Sequence, residues 1–412
     1  MSAFASESST KPLKVAIVGG GIAGLTAAAA LRLEGHEIHV FEASPTNTEL
    51  GAAVSLSANA LRALNHIGFD LKQLRGCDML GSYVSLALLG GEGRFNAWYD
   101  PLNTFGHYGL LCHRSDLHEE LKRLATAEDR PGRPATIHLK AGWFTTRTSS
   151  SAQTESTHSA MRTSVLGYKQ TAPPSGRAAF RCLLDLSKID GCTEFDWIHA
   201  GPAGIRGVRP QNARGRSLVV YTCRDKTLLN IVASFPDLRD QDACSWKERA
   251  TKEQLVAAFA DFGPQFTKLL SLVDGPVHLW QIRSLPVIPV WVRGRTALIG
   301  DAAHATFPTL GQGSAMGIED AVTVACLLPD GTPAALVPRS LAAYETLRKP
   351  RGEFVLTESV EQVTVPEKRG LYGRSREMQA YIAGHDAVKV ARDYFETHLT
   401  GASESEGSCG TL

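Results

Sequence analysis

The chain has 412 residues, 43% of them hydrophobic and 21% charged, the balance of a globular protein with room for one large or two ordinary domains. Its 43 Lys and Arg offset 42 Asp and Glu for a formal charge of +1, which removes the electrostatic reason to expect nucleic acid or an anionic membrane as partner. No apolar run is long enough to span a bilayer, and the eight cysteines form no C-x-x-C pair, so a membrane span, a metal site and a disulfide scaffold are not expected.

The start, "MSAFASESSTKPLK", is polar and lacks the apolar core of a signal peptide. Residues 1–12 and 401–412 read as disordered tails, and the chain reads as cytoplasmic, its cysteines as buried thiols. "KVAIV" (14–18) is a short β-branched run ending in glycines, the pattern of a buried strand. "LTAAAALRL" (25–33) is a helix packed on that strand. "EIHVFE" (37–42) is a second strand ending in Glu42. Between strand and helix stands Gly19-x-Gly21-x-x-Gly24. The first glycine permits a tight turn, the second lets backbone approach a pyrophosphate, and the third lets helix and strand pack closely. The helix N-terminus then offers free N–H groups to phosphates. Glu42 follows roughly twenty residues on, where an acid binds a ribose hydroxyl pair. Taken alone, the motif does not separate NAD from FAD.

His113 and His118 lack a third ligand at metal spacing and read as surface or supporting residues. From Thr145 to Ser159, ten of fifteen residues are Ser or Thr, a linker-like patch inside an otherwise periodic chain. Beyond it, "RAAFRCLLDL", "SLVVYTC", "LLNIVASF" and "VHLWQIRSLP" alternate as antiparallel strands. "TKEQLVAAFADFGPQFTKLLSLV" (251–273) has helical spacing and reads as one or two amphipathic helices. A second glycine cluster, "TALIGDAAHATFPTLGQGSAMGIEDA", occupies 296–321. "TALIG" reads as a buried strand with Asp301 at its C-terminal end, where ligands of open α/β sheets bind. A loop with Pro308, Gly311 and Gly313 leads into a helix from about Ser314, whose N-terminus favours a group that accumulates negative charge. His304 reads as a packing or loop-positioning residue.

The two clusters together resemble the FAD-dependent aromatic hydroxylases, the salicylate hydroxylase-like flavoprotein monooxygenases. The resemblance runs through "ELGAAVSLSANALRALNHIGF" (49–69), "LLCHRSDLHEEL" (110–121), "GRAAFRCLL" (176–184) and "YETLRKPRGEFV" (344–355). It implies an α/β fold: a Rossmann-like FAD-binding domain (13–85, 110–175 and 286–335), an inserted antiparallel β-sheet substrate domain (86–109 and 176–285), and C-terminal helices (336–400). It implies FAD held by Gly19, Gly21, Gly24, Glu42, Ala53, Arg114, Asp301, Gly311, Gly313 and Ser314. NADH or NADPH is implied as a transient co-substrate, because no separate nicotinamide motif is present. The implied reaction is hydroxylation of a small phenolic or salicylate-like ring with O2, through a flavin C4a-hydroperoxide. Pro308, Tyr221 and Arg283 are the candidate catalytic residues, with Asn230 beside them in the substrate pocket. The resemblance leaves oligomeric state open.

One family motif is altered. Where the family has "G-A-D-G-x-x-S-x-x-R", this chain keeps Ser159 and Arg162 but reads Gln153-Thr154-Glu155-Ser156 at its head. A second expectation therefore stands beside the first: an FAD-binding protein of this fold without hydroxylase activity.

Overall fold

The structure, a computed structural model, describes residues 11–44, 53–86, 94–97, 101–139, 157–209, 215–239, 247–370 and 375–400. The Ser/Thr-rich stretch through 156, including Gln153 to Ser156, lies outside the described residues, as do 1–10, 401–412, Cys244 and Cys409.

The opening pattern folds as its sequence predicts. Lys14–Val18 pairs in parallel with Glu37–Glu42, and that strand pairs in parallel with Thr136–Leu139. The helix Ile22–Leu33 buries nearly its whole length. Small alanines let it pack closely against the helix Gly313–Cys326, and Ala23 sits where the chains cross. A Cβ on Gly300 or on Gly317 would come within 2.9 Å of the Ala23 Cβ. The two glycine clusters, almost 300 residues apart in sequence, are thereby drawn to one place. "TALIG" departs from expectation. Its ladder covers only Thr296–Ala297, paired with Val292–Arg293, and Asp301 opens a short helix Asp301–His304.

The middle of the chain forms an eight-stranded sheet. Its order is Lys247–Ala250, Val277–Arg283, Pro174–Asp185, Leu228–Pro236, Ser217–Cys223, Ile205–Arg209, Gly81–Leu86, Arg94–Ala97. Pairing is antiparallel except between Ile205–Arg209 and Gly81–Leu86, which run parallel. Alternation sets two faces. Phe180, Cys182, Leu184, Leu218, Val220, Leu229 and Ile231 point into one core, roofed by the helices Lys252–Ala258 and Pro264–Ser271. Directly paired residues share a face, so the registers Arg181↔Val232, Arg181↔His278, Leu183↔Asn230 and Tyr221↔Asn230 place Arg181, Tyr221, Asn230 and His278 on the other. Tyr221 there packs with Ala53, Cys77, Met79 and Leu111. These belong to a separate antiparallel sheet of Ala53–Leu56, Gly109–His113 and Cys77–Met79.

The C-terminal part is helical: Val337–Thr364, Arg376–Ala383 and Ala387–His398. These helices close over Gly313–Cys326 through a buried charge cluster. Glu319 takes Arg348 at 2.6 Å and Arg351 at 2.8 Å, and Asp320 takes Arg348 at 2.9 Å and His304 at 2.6 Å. His304 thus positions and packs, as its sequence context predicts. Among the described residues no helix is long and apolar enough to cross a membrane. The described cysteines are free, and all but the exposed Cys192 are buried; Cys192 departs from the buried-thiol expectation because it lies in a surface turn ahead of the short helix Thr193–Ile198.

His385 borders this cluster, 4.0 Å from Glu319. Burial pushes its pKa down to about 4; Glu319 opposes the shift, and Arg351 and Arg348 reinforce it. The unfolded chain protonates this group near 6.5, so between about 6.5 and 4 it binds a proton that the folded chain refuses. The contribution of His385 is fully present above that window and is lost as pH falls through it. Burial displaces His66, His107, His113 and His199 in the same direction. The melting temperature is therefore expected to fall from pH 7 to pH 5, and His385→Gln is expected to fall less steeply. Equal slopes for the two proteins in a pH series of thermal melts would contradict this reading.

Candidate active site

The first glycine loop has the geometry its spacing predicts. Gly19 has φ +110, a region closed to most side chains, and its N–H donates to the Phe41 carbonyl at 2.8 Å. A Cβ on Gly24 would stand 2.0 Å from the Gly19 carbonyl oxygen, so only glycine lets helix and turn meet. A Cβ on Gly19 or Gly21 would meet nothing within 4 Å; the outer side of the loop is open. Glu42 sits beneath it, accepting from the Gly20 N–H at 2.6 Å and the Ser44 N–H at 2.7 Å. The loop is also held from behind. His118 Nε2 donates to the Gly20 carbonyl at 2.7 Å. His118 and His113 are both buried, which sets aside the surface half of the expectation, and His118 takes the supporting half. His118 turns inward because it lies on the face of its helix shared by Leu117 and Leu121.

The second loop lies alongside. Asp301 is exposed at the start of its short helix. Its backbone and that of Ala302 are pinned by Arg162, whose Nη2 donates to the Asp301 carbonyl at 3.1 Å and whose Nε donates to the Ala302 carbonyl at 2.9 Å. Arg162 is the retained tail of the altered motif, and it acts here as a clamp on the second glycine cluster. Pro308 is exposed, and Gly311, with φ +63, closes the turn Pro308–Leu310. Gly313 and Ser314 open the helix Gly313–Cys326. A Cβ on Gly313 would meet nothing within 4 Å, so the N–H groups of this helix end face open space with the positive end of its dipole. Gln312 is held from below: it donates to Ser57 Oγ at 2.8 Å and accepts from Asn59 Nδ2 at 3.1 Å, and the same Asn59 nitrogen reaches Glu319 at 2.6 Å.

These two loops fit FAD: they leave open glycine cradles, present an acid at the second strand's end, and direct one helix N-terminus to each cradle.

The polar face of the large sheet lies toward the small antiparallel sheet that bears Ala53. Ala53, in the segment expected beside the flavin, donates its N–H to Asn230 Oδ1 at 3.1 Å. Asn230 Nδ2 is buried with no partner among the described residues, and so is Arg181 Nε. The Arg181 guanidinium lies 4.6 Å from the centre of the Trp280 ring. Burial pulls its pKa down, the Tyr221 phenol opposes that, and the nearby Arg114 adds to it. Among the described residues no carboxylate pairs with it. Burial in turn raises Tyr221 well above its ordinary value, against the pull of Arg181. Arg114, Arg181, Tyr221 and Asn230 thus converge.

Arg283 is placed differently. Its Nε and Nη2 donate to Gln281 Oε1 at 3.1 and 2.7 Å and its Nη1 to the Ala172 carbonyl at 3.1 Å. The register breaks between Ile282 and Arg283, which turns this side chain toward its own strand's support. Arg181 was the residue missed: strand alternation sets it opposite the apolar Phe180 and Cys182, the one signal that could have found it.

A family profile described as an FAD binding domain matches residues 238–359, and one described as an NAD(P)-binding Rossmann-like domain matches residues 17–54. The chain is 39% identical to hispidin-3-hydroxylase of Neonothopanus nambi, over 95% of this chain and 98% of that one. It is 30% identical to a salicylate hydroxylase of Pseudomonas putida, over 87% of this chain and 86% of that one. Among solved structures it is similar to a salicylate hydroxylase substrate complex, with a TM-score of 0.71 at 24% identity over 92% of this chain and 97% of that one. It is also similar to CtdE in complex with FAD and substrate 4, with a TM-score of 0.74 at 20% identity over 93% and 98%. At such identities the two structures speak for the fold.

Proposed function

We propose that this chain, which belongs to the FAD-dependent monooxygenases acting on aromatic compounds, hydroxylates a phenolic ring held between the Pro308–Gly313 loop and the polar face of the eight-stranded sheet. One observation carries the placement: Arg181 Nε and Asn230 Nδ2, buried donors with no partner among the described residues, share that face with Tyr221, and Arg114 is near Arg181. FAD, when bound, would supply the redox chemistry of a monooxygenation, in which NAD(P)H gives two electrons, one oxygen of O2 enters the ring and the other leaves as water.

The chain's own residues supply binding, orientation and charge. Gly19, Gly21 and Gly24 seat the pyrophosphate, Glu42 the ribose, and Asp301 the ribityl chain, with Arg114 reaching the cofactor. Gly311, Gly313 and Ser314 border the ring system, and the helix end behind them favours negative charge there. Arg181, buried and with no carboxylate partner among the described residues, binds a phenolate or carboxylate oxygen of the substrate. Tyr221 hydrogen-bonds the ring hydroxyl, Asn230 Nδ2 donates beside it, and Pro308 forms the edge of the ring slot. Arg283 stands behind them as support for Gln281.

The test uses the FAD-loaded protein, NADH or NADPH, and a panel of simple phenols and salicylates. The expected result is a product heavier by one oxygen atom, labelled when the gas is labelled O2. Arg181→Met is expected to raise KM for an acidic phenol at least about ten-fold, the loss of one charge-assisted hydrogen bond, with FAD affinity unchanged. NAD(P)H oxidation with no oxygenated product from any phenol would instead support an FAD-binding protein without hydroxylase activity. An unchanged KM in Arg181→Met would remove Arg181 from the site.

A further inference from the structure

We propose that Arg224, Asp116 and Arg75 form a positioning latch that fixes the substrate-facing sheet against the helix carrying Arg114; the inference rests on the hydroxylase reading above. The turn between Cys223 and Leu228 reads Arg224-Asp225-Lys226-Thr227, with neither glycine nor asparagine. Yet Arg224, Asp225 and Lys226 have φ of 49, 53 and 61, and Arg75 has φ of 44. Among the described residues these are the four non-glycine residues with positive φ, and all four stand at this one junction. A side chain in that region crowds its own carbonyl. Backbone of this kind persists only where its surroundings over-determine it, and it concentrates at functional sites.

What over-determines it here is one carboxylate. Asp116 is almost fully buried and accepts from Arg224 at 2.6, 2.9 and 3.2 Å and from Arg75 at 3.1 Å to both oxygens. Arg224 also donates to Ser115 Oγ at 3.0 Å, and the Asp225 N–H donates to the Arg75 carbonyl at 2.9 Å. The junction lies between two site residues. Tyr221 is three positions before Arg224, on the strand that leads into this turn, and Arg114 is two positions before Asp116 on the helix Arg114–Thr126. Cys77, Cys223, Leu111 and Tyr221 pack together beneath it. Releasing Asp116 lets the strained turn relax, and the face bearing Tyr221 and Arg181 shifts against Arg114. Cofactor binding rests mainly on the glycine loops and changes little.

The readout is the ratio of hydroxylated product to NAD(P)H consumed, with KM for the phenol, in FAD-saturated enzyme. Arg224→Ala and Asp116→Asn are expected to lower that ratio and raise KM by about ten-fold, part of the roughly hundred-fold that an ångström of misplacement can cost, with FAD affinity within about two-fold. Arg224→Lys, which keeps the charge, is expected to recover part of the ratio. Asp225→Gly, which relieves the backbone and keeps Arg224, is expected to retain it and to raise the melting temperature. Wild-type ratio and KM in both Arg224→Ala and Asp116→Asn would overturn the latch. Should those two fail to fold, Arg75→Ala removes one arm only: a partial loss of the ratio supports the latch, and a wild-type value overturns it. Should the wild-type enzyme itself make no product, the hydroxylase reading fails separately. Amide hydrogen exchange then decides the latch: faster exchange at both 114–121 and 217–223 in Arg224→Ala supports it, and unchanged exchange at both overturns it.

Discussion

Glu319→Gln is expected to destabilise the folded protein by about 3–5 kcal/mol, the cost of breaking a buried ion pair from one side. Glu319 has no exposed surface. Its two oxygens take Arg351 at 2.8 Å each, Arg348 at 2.6 Å and Asn59 at 2.6 Å. Burial alone would raise its pKa, but Arg351 and Arg348 overcome that and hold the carboxyl far below its ordinary range. An amide of the same size leaves two guanidiniums buried with one carboxylate, Asp320, between them. A loss of this size is a large part of the ~5–15 kcal/mol that holds a domain together. The damage reaches the candidate site, because Asn59 links Glu319 to Gln312 at the end of the Pro308–Gly313 loop. Urea unfolding of the two proteins at pH 7 measures it. A difference below about 1 kcal/mol, the value of an exposed pair, would contradict the role assigned to the cluster.

Gly24→Ala carries the second large effect, on cofactor binding. The added carbon would stand 2.0 Å from the Gly19 carbonyl oxygen and 3.1 Å from its carbon. Both atoms are backbone, so the loop itself must move. The expected outcome is a loss of FAD affinity on the order of a hundred-fold, about 2.7 kcal/mol. Gly21→Ala separates the two possible causes. Its Cβ meets no protein atom within 4 Å, so folding should be kept while the methyl group occupies the space left for the pyrophosphate. Titration of each apoprotein with FAD, alongside a thermal melt, reads both quantities. Wild-type affinity in Gly24→Ala would mean that the turn does not seat the cofactor.

Much of this was legible in the sequence, where the signal was local. The strand, glycine turn, helix and acid of residues 14–42 appear as their periodicity and spacing predict, because neighbouring residues alone determine that unit. The four long alternating runs became strands of one sheet, and residues 251–273 became two helices. What was not legible depends on partners far along the chain. Nothing near His118 announces that its ring meets Gly20, 98 positions earlier. Nothing near Arg162 announces that it grips Asp301, 139 positions later. Nothing near Arg283 announces the register break after Ile282 or the hydrogen bonds its side chain gives to Gln281. Arg181 is not marked by its sequence context either. It is a single charge inside an apolar run, and the pairing of strands shows that it shares a face with Tyr221 and Asn230. The turn at Arg224 carries no glycine to mark it, since a distant carboxylate rather than local preference sets its backbone.

The most direct measurement is the visible absorption spectrum of the purified protein with excess FAD removed, followed during addition of NAD(P)H with and without a simple phenol. The expected result is a bound oxidised-flavin spectrum that bleaches on NAD(P)H addition, faster when the phenol is present, and returns with O2 as hydroxylated product appears. A colourless protein that takes up no FAD, or a bound flavin that NAD(P)H leaves oxidised with every phenol tested, would contradict it.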